Sequence, residues 1–146
     1  MTPEEAVRKF FDCYTNGRPE DFDECVAPDY IDYGHTPPGV GPSGARDDYE
    51  NAVKLAGGLI TYTIDALVAD GALVAAAWTG TLPSGAVMRG LSLYHADGGL
   101  LRSTRRALNC EERWLLSAPP RSPSAGMSSA TRLTRSRTTC DSTAGP

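Results

Sequence analysis

Residues 59–108 read LITYTIDALVADGALVAAAWTGTLPSGAVMRGLSLYHADGGLLRSTRRAL. The pattern divides into four strands, 59–69, 72–82, 86–96 and 99–108, rich in β-branched and apolar residues. Asp70-Gly71, Pro83-Ser84-Gly85 and Asp97-Gly98 supply the breaks between them. Connections this short join only antiparallel neighbours, because a parallel crossover needs a dozen residues or more. The stretch therefore predicts an antiparallel meander.

Upstream of it the apolar period is that of helices. Thr2 is a good N-cap, Pro3 suits the first helical position and Glu5 completes a capping box. Val7, Phe10, Phe11 and Tyr14 then form one face, and Gly17 is placed to stop the helix. A second short helix is predicted from Pro19, with Phe22, Cys25 and Val26 on one side, ending before Pro28. A third is predicted over about 43–56, with Tyr49, Ala52, Val53 and Ala56 on one face. Asp47 and Asp48 lie in its first turns, where the helix dipole favours acids. Helices followed by a meander make an α+β domain, its helices covering one face of a curved antiparallel sheet.

Between the second and third helices, Gly39-Val40-Gly41-Pro42-Ser43-Gly44 fits the spacing G-x-G-x-x-G. A dinucleotide turn needs a buried parallel strand before it and converging amide donors at the helix start. Asp32 to Pro38 is too polar and proline-bound for such a strand, and Pro42 removes a donor. The motif reads as a loop, and no nucleotide cofactor or metal is predicted.

At 146 residues the chain holds one domain with a fair core. Its net charge of −4 argues against nucleic-acid and anionic-membrane partners, which need a basic footprint. No apolar run is long enough to span a bilayer, and the start TPEEAVRKF does not read as a signal peptide. Cys13, Cys25, Cys110 and Cys140 lack a C-x-x-C pair and fit free thiols in a reducing, cytoplasmic setting. Residues 1–110 form the predicted domain. Residues 111–146, dominated by Ser, Thr, Arg, Pro and Ala, are read as a disordered or out-of-frame tail.

The segment AVRKFFDCYTNGRPEDFDECVAPDYIDYG resembles the start of SnoaL-like polyketide cyclases of the nuclear transport factor 2-like superfamily. VAAAWTGTLPSG and RGLSLYHADGG resemble that family's second and third long strands, so the likeness runs over about residues 3–101. It implies a cone-shaped α+β barrel with an apolar cavity for a small hydrophobic molecule, no cofactor, and a homodimer. It also implies acid/base chemistry such as ring closure or isomerisation, carried by a carboxylate among apolar walls.

Asp32 matches the acid of the family's "DHG"-type motif, but Tyr33 stands where the histidine is usual. His35, two residues on, points to the same side if the chain stays extended. Asp32 and His35 are therefore the candidate catalytic residues, the alternative being a solvated loop. Tyr14, Tyr33, Trp78, Tyr94 and His95 are candidate substrate-binding side chains. Ala72, Ala75, Ala76 and Ala77 suggest unfilled space on the helix-facing side, or simply close helix packing. Which face of the second and third predicted strands, 72–82 and 86–96, points inward is open at this level. The last strand, LLRSTRRALNC, departs from the family: it holds no Asp or Glu before Glu111, and Asn109 cannot act as a base. Three functions remain open: a cyclase or isomerase, a non-catalytic binding module, and a dimerising module.

Overall fold

The structure, a computed structural model, describes residues 1–108. Asn109, Cys110 and the predicted tail lie outside the described residues. Helix α1 (Pro3–Asn16) starts as its sequence dictates: the Glu5 N–H donates to the Thr2 hydroxyl and the Glu5 carboxylate accepts from the Thr2 N–H. It buries Val7, Phe10, Phe11 and Tyr14, the predicted face. A 3₁₀ turn (Pro19–Asp21) and the single-turn α2 (Phe22–Cys25) follow. The second predicted helix ends early, and Val26 opens strand β1 (Val26–Asp32) instead. Strand β2 (Gly39–Val40) leads into α3 (Gly41–Ala56). The meander is β3 (Thr61–Asp70), β4 (Leu73–Thr81), β5 (Val87–Asp97) and β6 (Leu100–Leu108), within two residues of the predicted ends.

The six strands form one curved, unclosed sheet in the order β2-β1-β6-β5-β4-β3. The meander is antiparallel throughout, but β6 also pairs in parallel with β1, so the sheet is mixed. A parallel pair is possible here because α3 and the strands β3 to β5 intervene between the two strands. The glycines of the 39–44 motif serve close packing. Gly41 takes a left-handed φ of 64° against the Pro28 carbonyl, and the Gly39 backbone lies where a Gly44 side chain would begin.

Helix α1 lies across the concave face, and α3 packs on β1 and β2. Phe10 meets Phe22, Tyr30 and Tyr94, while Phe11 meets Tyr62, Trp78 and Tyr94. Burying each such ring contributes roughly 1.5–3 kcal/mol. Val74, Ala76 and Trp78 point inward from β4, as do Ser92, Tyr94 and Ala96 from β5. Of the alanines read as lining a hollow, Ala76 alone is buried on this face; alternation carries Ala75 and Ala77 to the other side. Aromatic rings of α1, β3, β4 and β5 pack together on the concave face. Among the described residues, no helix is long and apolar enough to cross a membrane.

Candidate active site

The concave face is organised in rows set by strand register. Val74, Tyr94, Thr104 and Asp32 are paired in sequence across β4, β5, β6 and β1. The next row runs Ala76, Ser92, Arg106. The third pairs Ile64, Trp78, Gly90 and Leu108. The Trp78 indole lies so close over Gly90 that a Cβ there would be 2.3 Å from Cζ2. Its Nε1–H donates to Ser92 Oγ at 3.0 Å, which fixes the ring against both rows.

A β-bulge puts Arg106 in this array. His95 pairs with Ser103 but Ala96 pairs with Leu101, so Arg102 is an extra residue in β6. Alternation is reset at that point: Leu101, Thr104 and Arg106 point inward, and Arg105 points outward. Outside the cone, Arg105 stacks on Tyr33 at 4.6 Å from the ring centre. The arginines of β6, a burden to an apolar cone unless paired, are thus divided: one enters, and it enters paired.

Arg106 meets Asp48, which α3 extends toward the sheet. Arg106 Nη2 donates to Asp48 Oδ1 at 3.2 Å and lies 3.7 Å from Asp32 Oδ2. The Tyr14 hydroxyl donates to Asp48 Oδ2 at 2.7 Å. Asp32 closes β1, and its Oδ1 accepts the Gly34 N–H at 2.7 Å. That turn swings His35 back over the site, where Nε2 sits against Asp48 Oδ1 and Arg106 Nη2 and 3.6 Å from Asp32 Oδ2.

Charge in this cluster is set by its own members. Burial opposes ionisation of Asp48, but Arg106, the Tyr14 hydroxyl and His35 outweigh it and hold the carboxyl below its ordinary range. Burial likewise works against the Arg106 cation, and the two aspartates more than restore it. Burial, then Asp48, pushes the Tyr14 phenol well up, so it remains a donor. Burial alone dominates at Tyr62, whose phenol is pushed up to about 12.

Two spaces meet at the cluster. An inner chamber of about 30 Å³ is bounded by Phe10, Phe11, Tyr14, Tyr94, Asp32, Ser92 and Thr104. An outer pocket of about 530 Å³ is bounded by Leu55, Ile60, Leu82, Met88, Leu108 and His35. Asp48, Tyr62, Trp78 and Arg106 border both. Pockets that hold small organic molecules span about 300–1,000 Å³ and have mostly apolar walls.

Of the candidate residues, Asp32, Tyr14, Trp78 and Tyr94 line the inner chamber, and His35 reaches the cluster through the turn after Asp32 rather than through an extended chain. Tyr33 and His95 do neither: both are exposed on the outer surface, His95 because it alternates with the inward Tyr94 and Ala96. Asp48 and Arg106 were missed. For metal, Asp32, His35 and Asp48 offer three ligand atoms within 4.8 Å. The Arg106 guanidinium already faces all three, so a cation would have to displace it.

The SnoaL-like domain family profile matches residues 7–104. The chain belongs to the SnoaL-like domain family. Solved SnoaL-like structures share its fold. A SnoaL-like polyketide cyclase from Agrobacterium tumefaciens is 18% identical with a TM-score of 0.64, covering 79% of this chain and 98% of that one. A proposed polyketide cyclase from Acidithiobacillus ferrooxidans is 23% identical at 0.64, covering 78% and 92%. An NTF2-like protein of unknown function from Cytophaga hutchinsonii is 15% identical at 0.63, covering 78% and 96%. At these identities the likeness establishes the fold, which is NTF2-like. No curated protein matches the sequence.

Proposed function

We propose that this SnoaL-like protein takes a small hydrophobic molecule into the outer pocket and performs cofactor-independent acid/base chemistry on it, of polyketide cyclase or isomerase type. The observation that carries this reading is the Asp32–His35–Asp48–Arg106 cluster, of which His35, Asp48 and Arg106 border the mostly apolar outer pocket and Asp32, Asp48 and Arg106 the inner chamber. Asp48, held ionised, anchors His35 and Arg106 and is too weak a base to take a carbon-bound proton. His35 at the mouth and Asp32 at the closed end are the groups left to move protons. One of them removes a proton next to a substrate carbonyl, leaving an enolate whose charge the Arg106 guanidinium meets. The enolate carbon then attacks a second carbonyl, closing a ring, or is reprotonated further along, moving a double bond. In either case the proton taken returns to the product, so the balance needs no oxidant or other co-reactant.

The test is hydrogen exchange of 2-tetralone in D₂O followed by NMR. Exchange faster than in buffer is expected, falling about 100-fold in His35→Ala and Asp32→Asn. Exchange no faster than in buffer would overturn the catalytic reading. The lack of any carboxylate in β6 favours a second reading, a non-catalytic ligand-binding or dimerising module of the same fold. In both readings we place the protein in the cytoplasm, on its free, buried Cys13 and Cys25. In both it is a homodimer through the outer sheet face, where Val68, Leu73, Leu91 and Leu93 are exposed beside Ala75 and Ala77.

A further inference from the structure

The inner chamber differs from the pocket above it in both size and chemistry. About 30 Å³ has room for one or two atoms the size of water, whereas a cavity that accepts benzene measures about 150 Å³. A ring cannot pass Trp78 and Arg106 into it; a single substituent can. Yet the chamber is the more polar of the two spaces, bounded by Asp32, Ser92, Thr104, Tyr94 and Arg106.

One of these groups has an unmet requirement. Thr104 is 4% exposed, and its hydroxyl has no hydrogen-bond partner among the described residues. It sits in the middle of the row between Asp32 and Tyr94, so its inward face is the chamber itself. The Tyr30 hydroxyl, fully buried on the neighbouring strand β1, likewise has no partner among the described residues. A buried hydroxyl without a partner costs about as much as a lost hydrogen bond, so it is uncommon in a folded interior. A Val at position 104 would fill the same volume without that cost. Ser92 Oγ accepts the Trp78 N–H and Asp32 Oδ1 the Gly34 N–H; Thr104, with the Tyr94 phenol beside it on the adjacent strand, presents its hydroxyl to the chamber.

We infer that the inner chamber is a one-oxygen subsite: a ring lies in the outer pocket and inserts a single hydroxyl or carbonyl oxygen between Trp78 and Arg106, where it bonds Thr104. The substrate class is thus a flat apolar molecule with an unhindered oxygen at one edge. This rests on reading the outer pocket as a ligand site, and it extends that reading by fixing the ligand's orientation.

The experiment titrates the protein with 2-naphthol and with naphthalene, followed at the Trp78 indole N–H by NMR. In the wild type, 2-naphthol is expected to bind about five- to tenfold more tightly, the worth of one good hydrogen bond. Thr104→Val should reduce that margin to less than twofold, and Thr104→Ser should keep it. Thr104→Ala serves in place of Thr104→Val should the latter not fold. Equal affinities in the wild type would overturn the subsite, as would a margin that survives both Thr104→Val and Thr104→Ala. If neither compound binds, the pocket reading fails and the subsite with it. If the margin holds but 2-tetralone exchange does not, the subsite stands in a non-catalytic binder.

Discussion

Asp48 joins three elements through one carboxylate: Tyr14 on α1, Arg106 on β6 and His35 after β1. Its folded-state pKa is depressed, so its contacts add stability above the carboxylate range of the unfolded chain, about pH 4. That contribution disappears as pH falls through the lower, folded value. Asp48→Asn should lower the urea midpoint at pH 7 by the equivalent of about 2 kcal/mol. It should also flatten the loss of stability between pH 5 and pH 3, as measured by urea unfolding at each pH. An unchanged acid slope would show that other carboxylates govern it. The sequence carried a usable signal for this residue. Ala45, Asp48 and Ala52 fall on the inward stripe of α3, and an acid on such a stripe faces the core rather than water. Assigning Asp48 to the helix dipole overlooked that spacing. Asp32 and His35 were legible because they sit in a short motif of fixed order.

At the scale of elements, the meander and α1 followed from turn signals, a capping box and a clean apolar period, all of which act locally. The start of β1 did not, because FDECVA fits a helix turn as well as a strand start, and pairing with β6, far away in the chain, decides between them. The bulge at Arg102 is harder still. Nothing in LLRSTRRAL marks where alternation resets, so Arg105 and Arg106 could not be told apart. The bulge is held from outside by ion pairs of Arg102 with Asp29, at 2.6 Å, and Asp97, at 3.9 Å. Deleting Arg102 removes the extra residue and leaves strict alternation with Leu101, Thr104 and Arg106 still inward and Arg105 outward. The expected result is cooperative thermal unfolding, read by circular dichroism, for the deletion variant as for Arg102→Ala. A deletion variant that no longer melts cooperatively would show that β6 needs the extra residue to keep Arg106 inward.

For the whole molecule, the outer face of β3, β4 and β5 presents two adjoining apolar rows, Ala66–Ala77–Leu91 and Val68–Ala75–Leu93. Lysines at these positions point away from the interior and leave the cone intact. The double change Leu91→Lys with Leu93→Lys should shift the protein from dimer to monomer in sedimentation while leaving its melting temperature within a few degrees. A wild type that sediments as a monomer would remove the sheet-face interface. The sheet order has a consequence for how the chain is made. β1 lies beside β5 only through β6, so the first fifty-six residues and the hairpins after them share no ladder until the last strand threads between them. During synthesis Asp32 and Asp48 emerge long before Arg106, the cation that pairs with both, leaves the ribosome. The same nine residues that complete the sheet also bring the site its guanidinium, so a truncated product missing them would have neither.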